Sequence, residues 1–130
     1  MPKQQAEILI ADDEIFIREG LQEALQKNGY AIETVADGHQ ARQLLAERDF
    51  HLVILDLRMP GPSGMDLLQE IGRQKFDTQC IILTAHGNVS TAVEAMRMGA
   101  YDFLTKPVDL DHLRLMVDRA LDRFELETEN

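Results

Sequence analysis

The sequence predicts an α/β domain built on a doubly wound, five-stranded parallel sheet with five helices. Two observations predict it. Short apolar or alternating runs are interleaved with stretches whose apolar residues recur at helical spacing, from one end of the chain to the other. Three of those runs, ILIA, LVIL and CIIL, are continuously apolar, as strands covered on both faces should be. The length of 130 residues suits one domain, and 45% apolar residues can supply its core without disulfides or a structural metal.

The elements follow in order. ILIA (8–11) is the first strand. Residues 14–28 form a helix with Ile17, Leu21, Ala24 and Leu25 on one face, closed by Gly29. AIETV (31–35) alternates as a second strand, and Asp37 caps the next helix, which carries Ala41, Leu44 and Leu45. LVIL (52–55) is the third strand. After the turn-rich RMPGPSG, Ser63 and Asp66 form a capping box for a helix bearing Leu67, Leu68 and Ile71. CIILT (80–84) is the fourth strand, followed by a helix over 89–98 with Val89, Ala92, Val93 and Met96, stopped by Gly99. YDFLT (101–105) is the fifth strand, and Asp109 opens the last helix. Strands two and five are mixed in character, as edge strands usually are. The order 2-1-3-4-5, taken by analogy from flavodoxin-like folds, puts them at the edges.

Charge and composition exclude several function classes. A formal net charge of -10 repels phosphate backbones, so this chain is not expected to bind nucleic acid itself. The one cysteine, Cys80, lies in an apolar run and reads as a small core residue. No stretch approaches the roughly 18 apolar residues of a membrane span, and MPKQQAEILI has no signal-peptide hydrophobic region. A cytoplasmic location is expected. Residues 1–125 read as one domain, and 126–130 as the start of a linker or disordered tail.

The residues that end the strands carry the chemistry. In a doubly wound sheet the strand C-termini share one edge, where ligands bind. Asp12 and Asp13 follow the first strand, Asp56 the third, Thr84 ends the fourth and Lys106 follows the fifth. Singly, each has an ordinary explanation: a helix cap for Asp12 or Asp13, a polar strand end for Asp56, a good strand former for Thr84, an edge-protecting charge for Lys106. Jointly they place three carboxylates, a hydroxyl and an ammonium on one rim. Three adjacent carboxylates repel unless a cation intervenes. A hard divalent ion such as magnesium suits oxygen donors and phosphate oxygens, and no His or Cys cluster speaks for zinc. Phosphoryl transfer needs an in-line nucleophile and positive charge on the transferring oxygens. Asp56 can be that nucleophile, with the metal, Lys106 and Thr84 around the phosphoryl oxygens.

The segments ILIADDE, LVILDLRMPGPSG, IILTAHG and GAYDFLTKP occur in that order over nearly the whole chain. In them the chain resembles the response-regulator receiver domains of bacterial two-component signalling. The resemblance implies that Asp56 accepts a phosphoryl group from a histidine kinase. It implies a magnesium ion on Asp13, Asp56 and the backbone carbonyl of Arg58, with Asp12 nearby. Thr84 and Lys106 are implied to contact the phosphoryl group, and the Lys106–Pro107 bond to be cis. The switch aromatic, three residues before the lysine, is Phe103 here; a plain edge-strand core role is the alternative.

The motifs TAHG, GAYDFLTKP and RMPG look most like the NtrC-like subfamily, whose receivers precede an ATPase and a DNA-binding domain. An excised receiver is therefore expected, one that controls an output domain or downstream protein; a stand-alone or degenerate receiver acting as an interaction module is the alternative. Leu110, Leu113, Val117, Ala120 and Phe124 keep an approximate heptad spacing, as if the last helix led into a linker or coiled coil. An ordinary sheet-covering helix explains Leu113, Val117 and Ala120 better. The fourth helix is apolar beyond one buried face, through Val89, Ala95, Met96 and Met98, which suits a partner surface. It or the fifth helix offers a route to a homodimer, and kinase recognition is expected on the first helix, Ile15–Gln26. Two other functions fit less well. A haloacid-dehalogenase-type phosphatase needs a D-x-D motif after the first strand, where this chain has ADDE, and a flavodoxin needs a Ser/Thr/Gly phosphate loop. The chain is thus expected not to be an enzyme beyond its own phosphorylation and dephosphorylation.

Overall fold

Alternation along the central strands decides the layering. The computed structural model describes residues 6–75, 77–122 and 124. Its elements are β1 (Glu7–Ala11), α1 (Ile15–Gln26), β2 (Ala31–Val35), α2 (Gly38–Glu47), β3 (Leu52–Leu55), α3 (Gly64–Gln74), β4 (Gln79–Thr84), α4 (Val89–Arg97), β5 (Asp102–Thr105) and α5 (Leu110–Leu121). All neighbouring strands pair in parallel, in the order β2-β1-β3-β4-β5. The expected topology and edge strands are both present.

Successive side chains on a strand point to opposite faces, and each face needs its own cover. Leu9, Ala11, Val53, Leu55, Cys80 and Ile82 pack under α2, α3 and α4. Ile8, Ile10, Leu52, Ile54, Ile81 and Leu83 pack under α1 and α5. The helix starts follow their capping residues. The Asp37 side chain accepts from Gln40 N, Ser63 and Asp66 form a reciprocal capping box, and Asp109 accepts from Asp111 N. Gly29 closes α1 with φ +89°, a left-handed conformation that a side chain would resist.

Two expectations need correction. On α4 the stripe Val89, Ala92, Val93 and Met96 faces largely outward: Val89 is 81% exposed, Val93 and Met96 46% each. The helix packs instead through Ala95, which is fully buried, and Met98. This helix carries two apolar stripes, and periodicity alone cannot say which one meets the sheet. The second correction concerns the last helix. It ends at Leu121, and Phe124 lies in a bend, part-buried against the α1/α5 side of the core, with its ring edge-on to His51 at 5.2 Å between centroids. Leu113, Val117 and Ala120 are fully buried there too, in the sheet-covering role expected of them. Residues 126–130, expected to begin a linker, lie outside the described residues.

Leu83, 1% exposed, is enclosed by the α1/α5 core, while Leu115 on α5 is 49% exposed. Leu83→Ala is expected to cost about 2–5 kcal/mol in urea unfolding, and Leu115→Ala within about 0.5 kcal/mol. Equal losses at both positions would contradict this division of the core.

Candidate functional site

Strand register brings the rim residues together. Ala11 pairs with Leu55, and the next amide, Asp56 N, donates to Ala11 O at 3.0 Å. Asp12 N donates to Val35 O at 3.1 Å on the other side. The carboxylates that follow β1 and β3 are therefore neighbours. Thr84 ends β4, and its hydroxyl donates to Asp56 Oδ1 at 2.8 Å. Lys106 N donates to Thr84 O at 2.9 Å, holding the chain after β5 alongside. From there the Lys106 ammonium reaches Asp12 Oδ2 at 2.7 Å and Asp56 Oδ2 at 3.0 Å. The Lys106–Pro107 peptide bond is cis.

Asp12, Asp56 and Thr84 are all buried, whereas Asp13 is exposed. One oxygen from each of Asp12, Asp13 and Asp56 lies within 4.8 Å of the other two. These residues could hold a metal ion, and an all-oxygen donor set fits a hard divalent cation. Asp56 Oδ1 also accepts from Arg58 N at 3.2 Å, so the backbone after β3 folds over the carboxylate. Gly64 allows that fold. Its amide donates to Leu57 O at 3.0 Å, and a Cβ there would collide with the Asp56 carbonyl.

Burial and charge oppose one another here. Burial raises the pKa of Asp12, against hydrogen bonds from Lys106 and Glu14 N that lower it, and Asp56 raises it further. Burial also works against the Lys106 ammonium, but its hydrogen bonds to Asp12, Glu14 and Asp56 outweigh that and raise its pKa above the ordinary value. Lysine charge is therefore secure at neutral pH, and it offsets the buried carboxylates.

Phe103 is half-buried beside the site, on the α4 side of the sheet. Its ring lies over Gly87: a Cβ at 87 would sit 2.5 Å from Phe103 Cε1 and 3.4 Å from Thr84 Cγ2. Thr84 Oγ1 also accepts from His86 N at 3.1 Å, tying the loop after β4 to Asp56 through one hydroxyl. The structure thus gathers Asp12, Asp13, Asp56, Arg58, Thr84 and Lys106 at one rim, with Phe103 adjacent. One residue was missed. Glu14 Oε1 lies 2.7 Å from Lys106 Nζ. The acidic run ADDE was its only signal in the sequence, and nothing local shows that its third carboxylate crosses to β5.

Fold and rim together define the receiver class of doubly wound domains. The chain belongs to the response regulator receiver domain family, whose pattern matches residues 8–118. It is 43% identical over 121 residues to the response regulator protein PilR of Pseudomonas aeruginosa, covering 93% of this chain and 27% of PilR. It is 40% identical over 126 residues to the C4-dicarboxylate transport transcriptional regulatory protein DctD of the same organism, covering 97% of this chain and 27% of DctD. The receiver domain of NtrX from Brucella abortus superposes with TM-score 0.83 at 38% identity, covering 90% of this chain and 99% of that one. These relatives agree with the NtrC-like resemblance of the motifs, and the chain spans about a quarter of the length of PilR and DctD. Among the described residues no helix is long and apolar enough to cross a membrane.

A titration tests the charge balance. Because the folded-state pKa of Asp12 is raised, its contribution to stability is fullest below the unfolded value of 3.8 and is lost as pH rises through the folded value. Lys106→Met removes the main opposing influence. The Asp12 pKa should then rise further in a carboxyl carbon-13 NMR titration, and stability should fall more steeply with pH above 3.8. An unchanged Asp12 titration would mean that the lysine does not compensate it.

Proposed function

We propose that Asp56 is the phosphoacceptor of a two-component receiver and that phosphorylation shifts its α4–β5 surface. The observation that carries this reading is the division of labour on one carboxylate. Thr84 and Arg58 N hold Asp56 Oδ1, and Lys106 holds Oδ2, beside two further acids. An oxygen of Asp56 attacks the phosphorus of a kinase phosphohistidine. The new O–P bond forms as the N–P bond breaks, and that electron pair returns to the imidazole nitrogen. Asp13, Asp56 and the Arg58 carbonyl, with Asp12 nearby, are the residues that would hold magnesium. When bound, that ion neutralises charge on the phosphoryl oxygens. Lys106 adds its ammonium to the same oxygens, and the Thr84 hydroxyl donates to one of them.

The switch follows from what Thr84 gives up. Its hydroxyl now serves both Asp56 and the His86 amide. Turned toward a phosphoryl oxygen, it draws the loop after β4 inward, and Phe103 and α4 repack against the altered loop. This is a population shift between two packings. The exposed residues Val89, Val93 and Met96 offer a surface for an output module or a second copy. Ile15 and Phe16, 51% and 85% exposed at the start of α1, suit the histidine kinase. Residues 1–125 act as the receiver unit, with 126–130 opening a linker, in a cytoplasmic regulator whose output is transcriptional. The chain catalyses only its own phosphorylation and dephosphorylation.

Intact mass after incubation with acetyl phosphate and magnesium tests the acceptor. The native chain should gain one phosphoryl mass, and Asp56→Asn or omission of magnesium should abolish the gain. Uptake by Asp56→Asn at the native rate would refute the assignment. Thr84→Ala tests the coupling separately. It should still accept a phosphoryl group at a reduced rate but lose phosphorylation-dependent self-association, followed by sedimentation. Full self-association without the hydroxyl would show that the signal travels by another route.

A further inference from the structure

We infer that Arg18 is a positioning residue whose guanidinium fixes the backbone from which Asp13 projects, an inference that rests on Asp13 and Asp56 being magnesium ligands. The three rim carboxylates are held very differently. Asp12 accepts from Lys106 and from Glu14 N, and Asp56 accepts from Thr84, Arg58 N and Lys106. Both are buried, so packing confines them as well. Asp13 is exposed, and among the described residues its carboxylate has no hydrogen-bond or ion-pair partner. Yet one of its oxygens lies within 4.8 Å of an oxygen on each of the other two. Its place therefore depends on the backbone that carries it.

Arg18 grips that backbone on both sides. Its Nη1 donates to Asp12 O at 2.7 Å, the carbonyl of the peptide that leads into Asp13. Its amide donates to Glu14 O at 3.1 Å, on the residue that follows Asp13. Asp12 O lies past the end of β1 and ahead of α1, where the Arg18 side chain supplies the donor. The charge on that donor makes the bond a strong one. Metal ligands must be held within about 0.5 Å of their working positions. Rotation of the Asp12–Asp13 peptide would carry the Asp13 carboxylate out of that range. Charge alone would act the other way. A guanidinium near the rim repels a divalent cation, so its removal by itself would tighten binding. Loss of positioning would weaken binding, and the sign separates the two effects.

Magnesium titration of the unphosphorylated chain, followed by backbone amide NMR shifts at the rim, measures the affinity. Arg18→Met keeps an unbranched stem of good helix propensity and removes the donor. It should raise the half-saturating magnesium concentration about tenfold, the scale for residues that orient metal ligands. Phosphorylation by acetyl phosphate, read by intact mass, should need correspondingly more magnesium and reach the native rate once the ion saturates. Unchanged or tighter magnesium binding in Arg18→Met would overturn the inference. So would a rate that stays low at saturating magnesium, the mark of general damage to the rim. If the native chain binds magnesium but takes up no phosphoryl group, the failure belongs to the Asp56 acceptor reading, and the affinity ratio still decides for Arg18. If it binds no magnesium there, the metal assignment fails and the role of Arg18 falls with it.

Discussion

The rim depends on one buried cation. Two carboxylates, Asp12 and Asp56, lie side by side with almost no access to water, an arrangement that is costly unless positive charge meets both. Lys106 supplies it. Its backbone follows the edge strand β5, and its side chain passes the end of β4 to reach carboxylates that follow β1 and β3. A flexible stem ending in a compact group with three donors makes that span; the five donors of a guanidinium would be confined to one plane. Thr84, at the end of the intervening strand, is small enough to leave the passage open and polar enough to join the network.

That arrangement requires strict register. The central strands present apolar residues to both faces, and the two helix layers cover them separately. A slip of one residue would exchange the faces and carry every rim residue off its position. The pairings Ala11 with Leu55, Leu55 with Ile82 and Thr84 with Thr105 therefore serve stability and chemistry together. The same core that resists unfolding holds the carboxylates, hydroxyl and ammonium within hydrogen-bonding reach. Gly64 contributes by letting α3 start directly against the Asp56 backbone.

The loop after β4 joins this centre to the α4 side of the sheet. It is attached to Asp56 through a single threonine hydroxyl, and its Gly87 carries the ring of Phe103. Asp56, the loop, Phe103 and α4 are thus neighbours in one line of contacts. That helix shows an apolar stripe to solvent and rests on the sheet mainly through the small Ala95 and through Met98. Few large side chains anchor it.

The sequence by itself determined the fold class, the strand order by analogy, the capping residues Asp37, Ser63 and Asp109, and the joint placement of Asp12, Asp13, Asp56, Thr84 and Lys106. These were legible because strand periodicity is local and because every strand of a parallel sheet ends at the same edge. Tertiary structure decided the rest. Which stripe of α4 is buried depends on the shape of the sheet it meets, so Val93 and Met96 face out while Ala95 faces in. Whether Phe124 leaves the domain or turns back depends on finding His51, far away in the chain. Glu14 became part of the site only when Lys106, separated from it by 92 positions, arrived beside it. Local patterns record what a segment can form; contacts between distant segments are set by packing, and no window along the chain contains them.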